Sequence, residues 1–239
     1  MNIQRHGWHS PALNREMELL VLGHGGARVL VFPTSLGNRY EWPDRRMHEV
    51  LGEHLERGWI QLFCVDQVNE ETWYGKHLHP NQRARRYLEY DRYLRDEVVP
   101  LTLQLNPNPY LMAVGASFGA YQAACFGLRH PHAVNRIIGL SGLYDVKRLT
   151  DGYSDPDVYA ANPFDFMRHE QDPNRLEAFR RQDIILVIGQ DDPSCENNRE
   201  FSSVLWQQGI GNALRVWDGW AHDWPYWERM IRMYIGGHD

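Results

Sequence analysis

The 239-residue sequence lacks the features of membrane and secreted proteins. It has no run of about 18 apolar residues, which is the length that a transmembrane helix needs. Charged side chains such as Arg5, Arg15 and Glu18 interrupt the first twenty residues, which excludes the apolar segment of a signal peptide. We therefore expect a cytoplasmic protein that has no membrane partner.

Cysteines are few, and basic residues do not outnumber acidic ones. Cys64, Cys125 and Cys195 are odd in number and widely spaced, so they suit neither a disulfide framework nor a zinc site. A net charge of −6 argues against a nucleic-acid partner, because nucleic-acid binding needs a basic surface. We expect the three thiols to be structural and the compartment to be reducing.

What remains is the composition of a folded globular chain, with 43% apolar and 23% charged residues. Apolar, strand-like runs alternate with amphipathic stretches, which predicts βαβ units and a sheet covered by helices on both faces. The predicted strands are residues 17–23, 28–33, 59–65, 110–114, 134–140, 184–188 and 213–217. The predicted helices are approximately residues 44–57, 81–105, 118–129, 196–209 and 224–235.

This alternation predicts an α/β fold, with residues 1–239 forming one domain around a mostly parallel central sheet. A turn at residues 23–26 joins the first two predicted strands, and His6 and His9 precede the sheet. Segment 144–182 interrupts the alternation, because it is rich in Asp, Pro, Asn and Arg and contains no strong strand. We predict that this segment is a cap-like excursion beside the functional site.

The sharpest motif is Gly-Ala-Ser-Phe-Gly at residues 115–119, which follows a predicted strand and opens an apolar helix. A tight strand-to-helix turn strains the backbone of the central serine and leaves no space for a Cβ atom at either glycine. The hydroxyl of Ser117 then lies at the sheet edge near a helix N-terminus, where amide groups favour an oxyanion. We predict that Ser117 is a nucleophile; a helix-capping serine is the alternative.

A serine nucleophile needs a base and an orienting acid, and in this architecture the acid precedes the histidine in the chain. His222 follows the last predicted strand and precedes the last predicted helix, so it is the predicted general base. A surface or helix-capping histidine is the alternative. Asp191 and Asp192 follow strand 184–188, and these residues alone leave open which of them is the acid or whether they only form a turn.

An oxyanion hole requires two backbone N–H groups. Phe118, directly after the nucleophile, is predicted to supply one of them. The second is expected in loop 33–38, which follows an early strand. There we choose Leu36 and keep Ser35 as the alternative.

Three segments together resemble the esterase family of α/β-hydrolases that includes S-formylglutathione hydrolase (esterase D), feruloyl and acetyl-xylan esterases and the antigen 85 mycolyltransferases. Residues 115–119 match its Gly-x-Ser-x-Gly motif, and residues 189–192 match a strand-end glycine followed three residues later by an acid. Residues 219–224 match a Gly-x-x-His-Asp-Trp loop. The resemblance extends over approximately residues 15–235 and includes region 66–74.

The resemblance implies an α/β-hydrolase fold and the same nucleophile and base as the residues themselves do. It also implies that the acid is Asp192, with Asp191 as the fallback, and that the second oxyanion amide lies where Leu36 stands. The sequence departs from the family in that loop. Many relatives have His-Gly or Asp-Gly there, whereas this chain has Thr34-Ser35.

Aromatic side chains are concentrated in the segments that are expected to form the strand-end loops. They either line an acyl or aryl pocket or pack within the loops. The candidate pocket residues are Trp73, Tyr74, Tyr144, Trp220 and Trp224.

These observations predict a serine carboxylester hydrolase that acts on a small-molecule ester through a Ser-Asp-His triad and an acyl-enzyme intermediate. Acyl transfer to an alcohol is the first alternative, and a non-catalytic binding protein of the same fold is the second. No cofactor is implied. The pairs His77/His79 and His130/His132 lack a cysteine or acidic partner at ligand spacing, so no metal is expected. The acyl group, the alcohol and the oligomeric state stay open.

Overall fold

A single eight-stranded sheet organises the computed structural model, which describes residues 3–237. Residues 1–2 and 238–239, the two ends of the predicted domain, lie outside the described residues. The sheet order is β1-β2-β4-β3-β5-β6-β7-β8. The strands are β1 (Ile3–Ser10), β2 (Arg15–Leu22), β3 (Ala27–Phe32), β4 (Ile60–Val65), β5 (Leu111–Ala116), β6 (Arg136–Leu140), β7 (Asp183–Gly189) and β8 (Ala213–Trp217).

Strand direction divides the sheet into two parts. Strands β3 to β8 run parallel to one another, whereas β2 pairs antiparallel with both β1 and β4. The predicted α/β class and mostly parallel sheet are therefore confirmed. Strands β3 to β7 are buried on both faces, whereas the edge strand β8 is partly exposed. In β3, for example, Leu30 and Phe32 belong to one core cluster, and Val29 and Val31 belong to the other. This alternation follows from the period of two in a strand.

Helices cover both faces of the sheet. The α-helices are α1 (Glu41–Asp44), α2 (Met47–Val50), α3 (Gly52–Glu56), α4 (Pro80–Tyr93), α5 (Val99–Leu105), α6 (Phe118–Arg129), α7 (Pro156–Ala160), α8 (Pro163–Arg168), α9 (Pro173–Arg180), α10 (Cys195–Gln207) and α11 (Trp224–Tyr234). Two 3₁₀ turns, Asn69–Glu71 and Val146–Leu149, and a π-helical turn, Leu94–Val98, complete the described elements.

The first strand was not predicted from the sequence. Strand β1 forms the edge of the sheet beside β2, so His6 and His9 lie within the sheet rather than before it. Most of its side chains are exposed, so it carries no apolar run by which it could be recognised. The turn at residues 23–26 does connect β2 to β3, but β4 lies between these two strands in the sheet.

Two predicted helices differ from the structure in an informative way. In place of the helix predicted for 44–57, the structure has the last residue of α1 followed by α2 and α3. The left-handed φ of 60° at Arg46 separates α1 from α2. The helix predicted for 81–105 is continuous from α4 to α5 but contains the π-helical turn just before Pro100. A wider turn accommodates a proline, which has no N–H group and whose ring displaces the carbonyl four residues earlier.

The segment between β6 and β7 contains α7, α8 and α9 and no strand. It packs against α6: the Tyr121 hydroxyl donates to the carbonyl of Ala161 at 2.7 Å, and Arg129 donates to the carbonyl of Ala160 at 2.6 Å. The role of this segment as a cap stays a prediction.

All three cysteines are buried and unbridged. Burial raises the pKa of Cys125 to about 12 and also raises that of Cys64, so neither thiol ionises at neutral pH. None of the helices in residues 3–237 is long and apolar enough to cross a membrane.

The turn between β5 and α6 leaves no space for a side chain at either of its glycines. A Cβ atom at Gly119 would lie 2.4 Å from the carbonyl oxygen of Phe32 and 2.6 Å from that of Pro33. Gly115 is equally confined, because its Cβ would lie 2.2 Å from the backbone of Gly119. Helix α6 therefore begins in direct contact with the end of β3.

We expect Gly119→Ala to destabilise the protein by roughly 3 kcal/mol, because the added methyl group meets backbone atoms that cannot rotate away. Urea unfolding measures this as a lower midpoint. Gly25→Ala is the matched control, because a Cβ atom at Gly25 has no neighbour within 4 Å. Equal midpoints for the two variants would contradict the close contact between α6 and β3.

Candidate active site

The candidate site lies where the parallel strands end. Ser117 directly follows β5, and Asp192 and His222 lie in the loops after β7 and β8. Leu36 lies in the loop after β3. Because the carboxyl ends of parallel strands meet at one edge of a sheet, these four residues come from distant parts of the chain to the same edge.

Ser117 has a backbone conformation that is rare outside glycine, with φ 55° and ψ −121°. Such a conformation costs about 1–3 kcal/mol and persists only where the surrounding structure enforces it. Here the two confined glycines do so, and the Ser117 amide donates to the carbonyl of Leu140 at 2.7 Å. The Ser117 side chain makes no capping hydrogen bond to α6, so its hydroxyl is available at the sheet edge.

A hydrogen-bond chain connects the three residues. His222 Nε2 lies 3.0 Å from Ser117 Oγ, and His222 Nδ1 lies 2.5 Å from Asp192 Oδ2. The Asp192 side chain is 2% exposed, and its other oxygen accepts from the Ser194 amide at 2.7 Å. Asp191 is exposed and has no contact with the imidazole among the described residues; its amide instead donates to the carbonyl of Gly219.

Ser141, which the sequence analysis missed, holds the loop that carries His222. Its Oγ donates to the carbonyl of Ala221 at 2.8 Å and accepts from Trp227 Nε1 at 3.0 Å. Both Ser141 and Ala221 have left-handed backbones, with φ 53° and 44°. The one signal in the sequence is its position directly after β6, the strand beside β5, which Ser117 follows. His222 does not cap α11, because Asp223 occupies the N-cap position.

Two indole rings contact the imidazole of His222. Trp220 stacks on it with ring centroids 5.5 Å apart and planes inclined by 20°, and Trp227 meets it edge-on at 5.5 Å. Trp227 is buried, whereas Trp220 is 53% exposed. Trp224 is partly buried and packs edge-on against Trp227 at 5.0 Å. Of these three tryptophans, Trp220 is the one whose side chain is largely exposed to solvent beside His222.

The loop after β3 is held in place by side chains that were not predicted. Glu41 accepts from the amide and the hydroxyl of Thr34 at 2.7 and 2.6 Å, and Gln67 donates to carbonyls of the same loop. Leu36 has a left-handed φ of 57°. Within residues 3–237 the amides of Leu36 and Phe118 donate to no protein acceptor, so both remain available to a ligand.

Tyr74 borders this loop. Its hydroxyl lies 2.5 Å from Ser35 Oγ, and its ring packs edge-on against Phe118 at 5.2 Å. Burial raises the pKa of Tyr74, so the phenol stays protonated at neutral pH. Tyr74 therefore braces both the loop after β3 and the first residue of α6.

Trp73 and Tyr144 lie in the core and do not line an open pocket, contrary to the expectation from sequence. Trp73 is 1% exposed and donates to the Tyr121 hydroxyl at 3.1 Å. Tyr144 is completely buried and stacks on Phe201 at 4.7 Å. Both lie in strand-end segments, but these segments fold back onto the helices, so their large apolar rings are buried.

The histidine pairs lie apart from the site. His77, His79 and His132 are exposed, and His130 binds the carboxylate of Asp91 at 3.0 Å. Among residues 3–237 there is no group of three or more His, Cys, Asp or Glu side chains that could hold a metal ion.

Comparison with known proteins finds one family whose model covers most of the chain. The sequence profile of the family described as "Putative esterase" matches residues 64–235. The match contains Ser117, Asp192 and His222, and it begins after the loop that contains Leu36. No curated protein sequence matches the chain significantly.

Solved structures share the fold over nearly the whole chain. A ferulic acid esterase has a TM-score of 0.77 at 17% identity, with 97% of this chain and 95% of the other chain covered. An S-formylglutathione hydrolase from Agrobacterium tumefaciens has a TM-score of 0.73 at 13% identity, with coverage of 96% and 91%. MPT51 from Mycobacterium tuberculosis has a TM-score of 0.72 at 15% identity, with coverage of 99% and 97%. The predicted α/β-hydrolase fold and the family resemblance are confirmed.

The strained backbone of Ser117 leads to a stability prediction. Glycine adopts a positive φ without a steric penalty, whereas alanine keeps the strain. We expect Ser117→Gly to be about 1 kcal/mol more stable than Ser117→Ala, which corresponds to a melting temperature roughly 2–4 °C higher. Calorimetry of the two variants measures the difference. Identical melting temperatures would show that the turn does not strain this residue.

Proposed function

This chain belongs to the Putative esterase family and is thus a carboxylic ester hydrolase, and we propose that it acts through a catalytic triad of Ser117, His222 and Asp192. The observation that carries the proposal is the unbroken hydrogen-bond chain from the buried carboxylate through the imidazole to the serine hydroxyl. Its geometry matches that required of a nucleophile, a base and an orienting acid.

In the first step His222 Nε2 accepts the proton of Ser117, and Ser117 Oγ attacks the carbonyl carbon of the ester. The hydrogen bond from Nδ1–H to Asp192 keeps the imidazole in the tautomer whose Nε2 can accept this proton. The same carboxylate then stabilises the imidazolium that forms. Because Asp192 is removed from water, this stabilisation is stronger than at the surface.

The attack places a negative charge on the carbonyl oxygen. The amides of Phe118 and Leu36, which have no protein acceptor within residues 3–237, are the proposed donors to this oxyanion. Phe118 is the first residue of α6, so the partial positive charge of a helix N-terminus acts at the same place. Each such donor is worth roughly a factor of 10²–10³ in kcat.

The tetrahedral intermediate then breaks down. His222 Nε2 donates its proton to the alcohol oxygen, the bond from the carbonyl carbon to that oxygen breaks, and the acyl group remains on Ser117. Water next gives a proton to His222 and attacks the acyl-enzyme. Collapse of the second intermediate returns the proton to Ser117 and releases the carboxylic acid.

The proposal predicts a large difference between two neighbouring acids. Asp192→Asn should lower kcat for p-nitrophenyl acetate by about 10⁴, because the asparagine amide donates to Nδ1 and leaves Nε2 protonated. Ser117→Ala should lower it by about 10⁶ and define the floor of the assay. Asp191→Asn is the matched control and should stay close to the parent, because Asp191 is exposed and away from the imidazole.

Circular dichroism of each variant verifies that the fold is retained. Two results would contradict the proposal. Activity of Ser117→Ala within tenfold of the parent would exclude Ser117 as the nucleophile, and a larger loss in Asp191→Asn than in Asp192→Asn would move the acid by one residue.

A further inference from the structure

The proposed function determines on which side of the site the alcohol part of the substrate lies. The alcohol oxygen must receive its proton from His222 Nε2, so it has to approach within hydrogen-bonding distance of that atom. The group attached to this oxygen therefore lies next to the loop that carries His222. The acyl group is attached to the carbonyl carbon instead, so it extends away from this loop.

Trp220 is the exposed side chain at this position. Its ring stacks on the imidazole at 5.5 Å, so the solvent-exposed part of the ring lies on the opposite face and along the ring edge. Its backbone is fixed, because a Cβ atom on Gly189 would lie 2.2 Å from the Trp220 carbonyl oxygen. The neighbouring Gly219 accepts from the Asp191 amide at 3.0 Å. A rigid backbone thus presents an exposed indole beside the proton donor.

Trp220 is not needed to hold His222 in its orientation. The imidazole already binds Asp192 at 2.5 Å and contacts the buried Trp227 from the side. The loop is further fixed by the Ser141 hydroxyl on the carbonyl of Ala221. If Trp220 only added a further restraint on His222, its ring would not need to be half exposed to water.

We infer that the exposed face of Trp220 binds the alcohol part of the ester and favours alcohols that carry a flat aromatic group. Aromatic rings stack in an offset or edge-to-face arrangement with a modest gain in affinity beyond the area that they bury. The stack would hold the alcohol oxygen near His222 Nε2 while the acyl-enzyme forms.

This role has a kinetic signature. The alcohol is present during acylation but has left before deacylation. Loss of a contact with the alcohol therefore changes kcat/KM but does not change the rate at which the acyl-enzyme decays. A residue that only orients His222 would alter both steps, since His222 acts in both. Benzyl acetate and ethyl acetate form the same acetyl-enzyme from two primary alcohols, only one of which is aromatic.

The experiment compares kcat/KM for these two esters in the parent, Trp220→Ala and Trp220→Phe. We expect the benzyl-to-ethyl ratio to fall roughly 2- to 12-fold in Trp220→Ala and to be largely retained in Trp220→Phe. Rapid-quench mass spectrometry follows the decay of the acetyl-enzyme. Trp206→Ala is the control: Trp206 is similarly exposed, at 59%, but lies near the starts of β7 and β8 at the opposite edge of the sheet.

An unchanged ratio in Trp220→Ala would overturn the inference. So would an equal loss for both esters together with slower decay of the acetyl-enzyme, since this result assigns Trp220 to the positioning of His222. Failure of the proposed function is distinguishable from either result, because the parent itself would then hydrolyse both esters without forming an acetyl-enzyme on Ser117.

Discussion

The contact between the start of α6 and the end of β3 is the constraint on which the site depends. Gly119 lies against the carbonyls of Phe32 and Pro33, so the chain must turn from strand to helix within one residue, and that residue is Ser117. The same contact places the N-terminus of α6 beside the loop that contains Leu36. One close backbone approach therefore brings together the proposed nucleophile and both proposed oxyanion donors, and it does so at the cost of local strain.

The other parts of the site are held by polar contacts between segments that are distant in sequence. Ser141 fixes the histidine loop, and Glu41 fixes the loop after β3. These contacts support the loops that carry the proposed catalytic residues and restrict their motion. In the proposed function, such preorganisation stabilises developing charge without rearrangement during the reaction. The ring of Trp220 stacks on the imidazole of His222 and is still 53% exposed, unlike these buried supporting contacts.

Local features of the site could be predicted from sequence, and features that depend on packing could not. The turn at Ser117 is encoded within five residues, and the position of His222 after the last strand follows from the order of the elements. The choice of Asp192 over Asp191 needed the family resemblance, because the sequence alone does not show which of two adjacent side chains faces the imidazole.

Trp73 and Tyr144 were assigned to a pocket because the sequence does not reveal which loops fold back onto the core. Strand β1 was missed because its exposed edge carries no apolar pattern, and Ser141 was missed because its partner Ala221 is 80 residues away.

The central claim is that ester hydrolysis passes through a covalent acyl group on Ser117. Acid quenching during turnover of p-nitrophenyl acetate, followed by mass mapping of peptides, tests it most directly. The account predicts an acetyl group on the peptide that contains Ser117, which accumulates as p-nitrophenol is released and disappears when the substrate is exhausted. Turnover without an acetylated Ser117, or with the acetyl group on another residue, would contradict it.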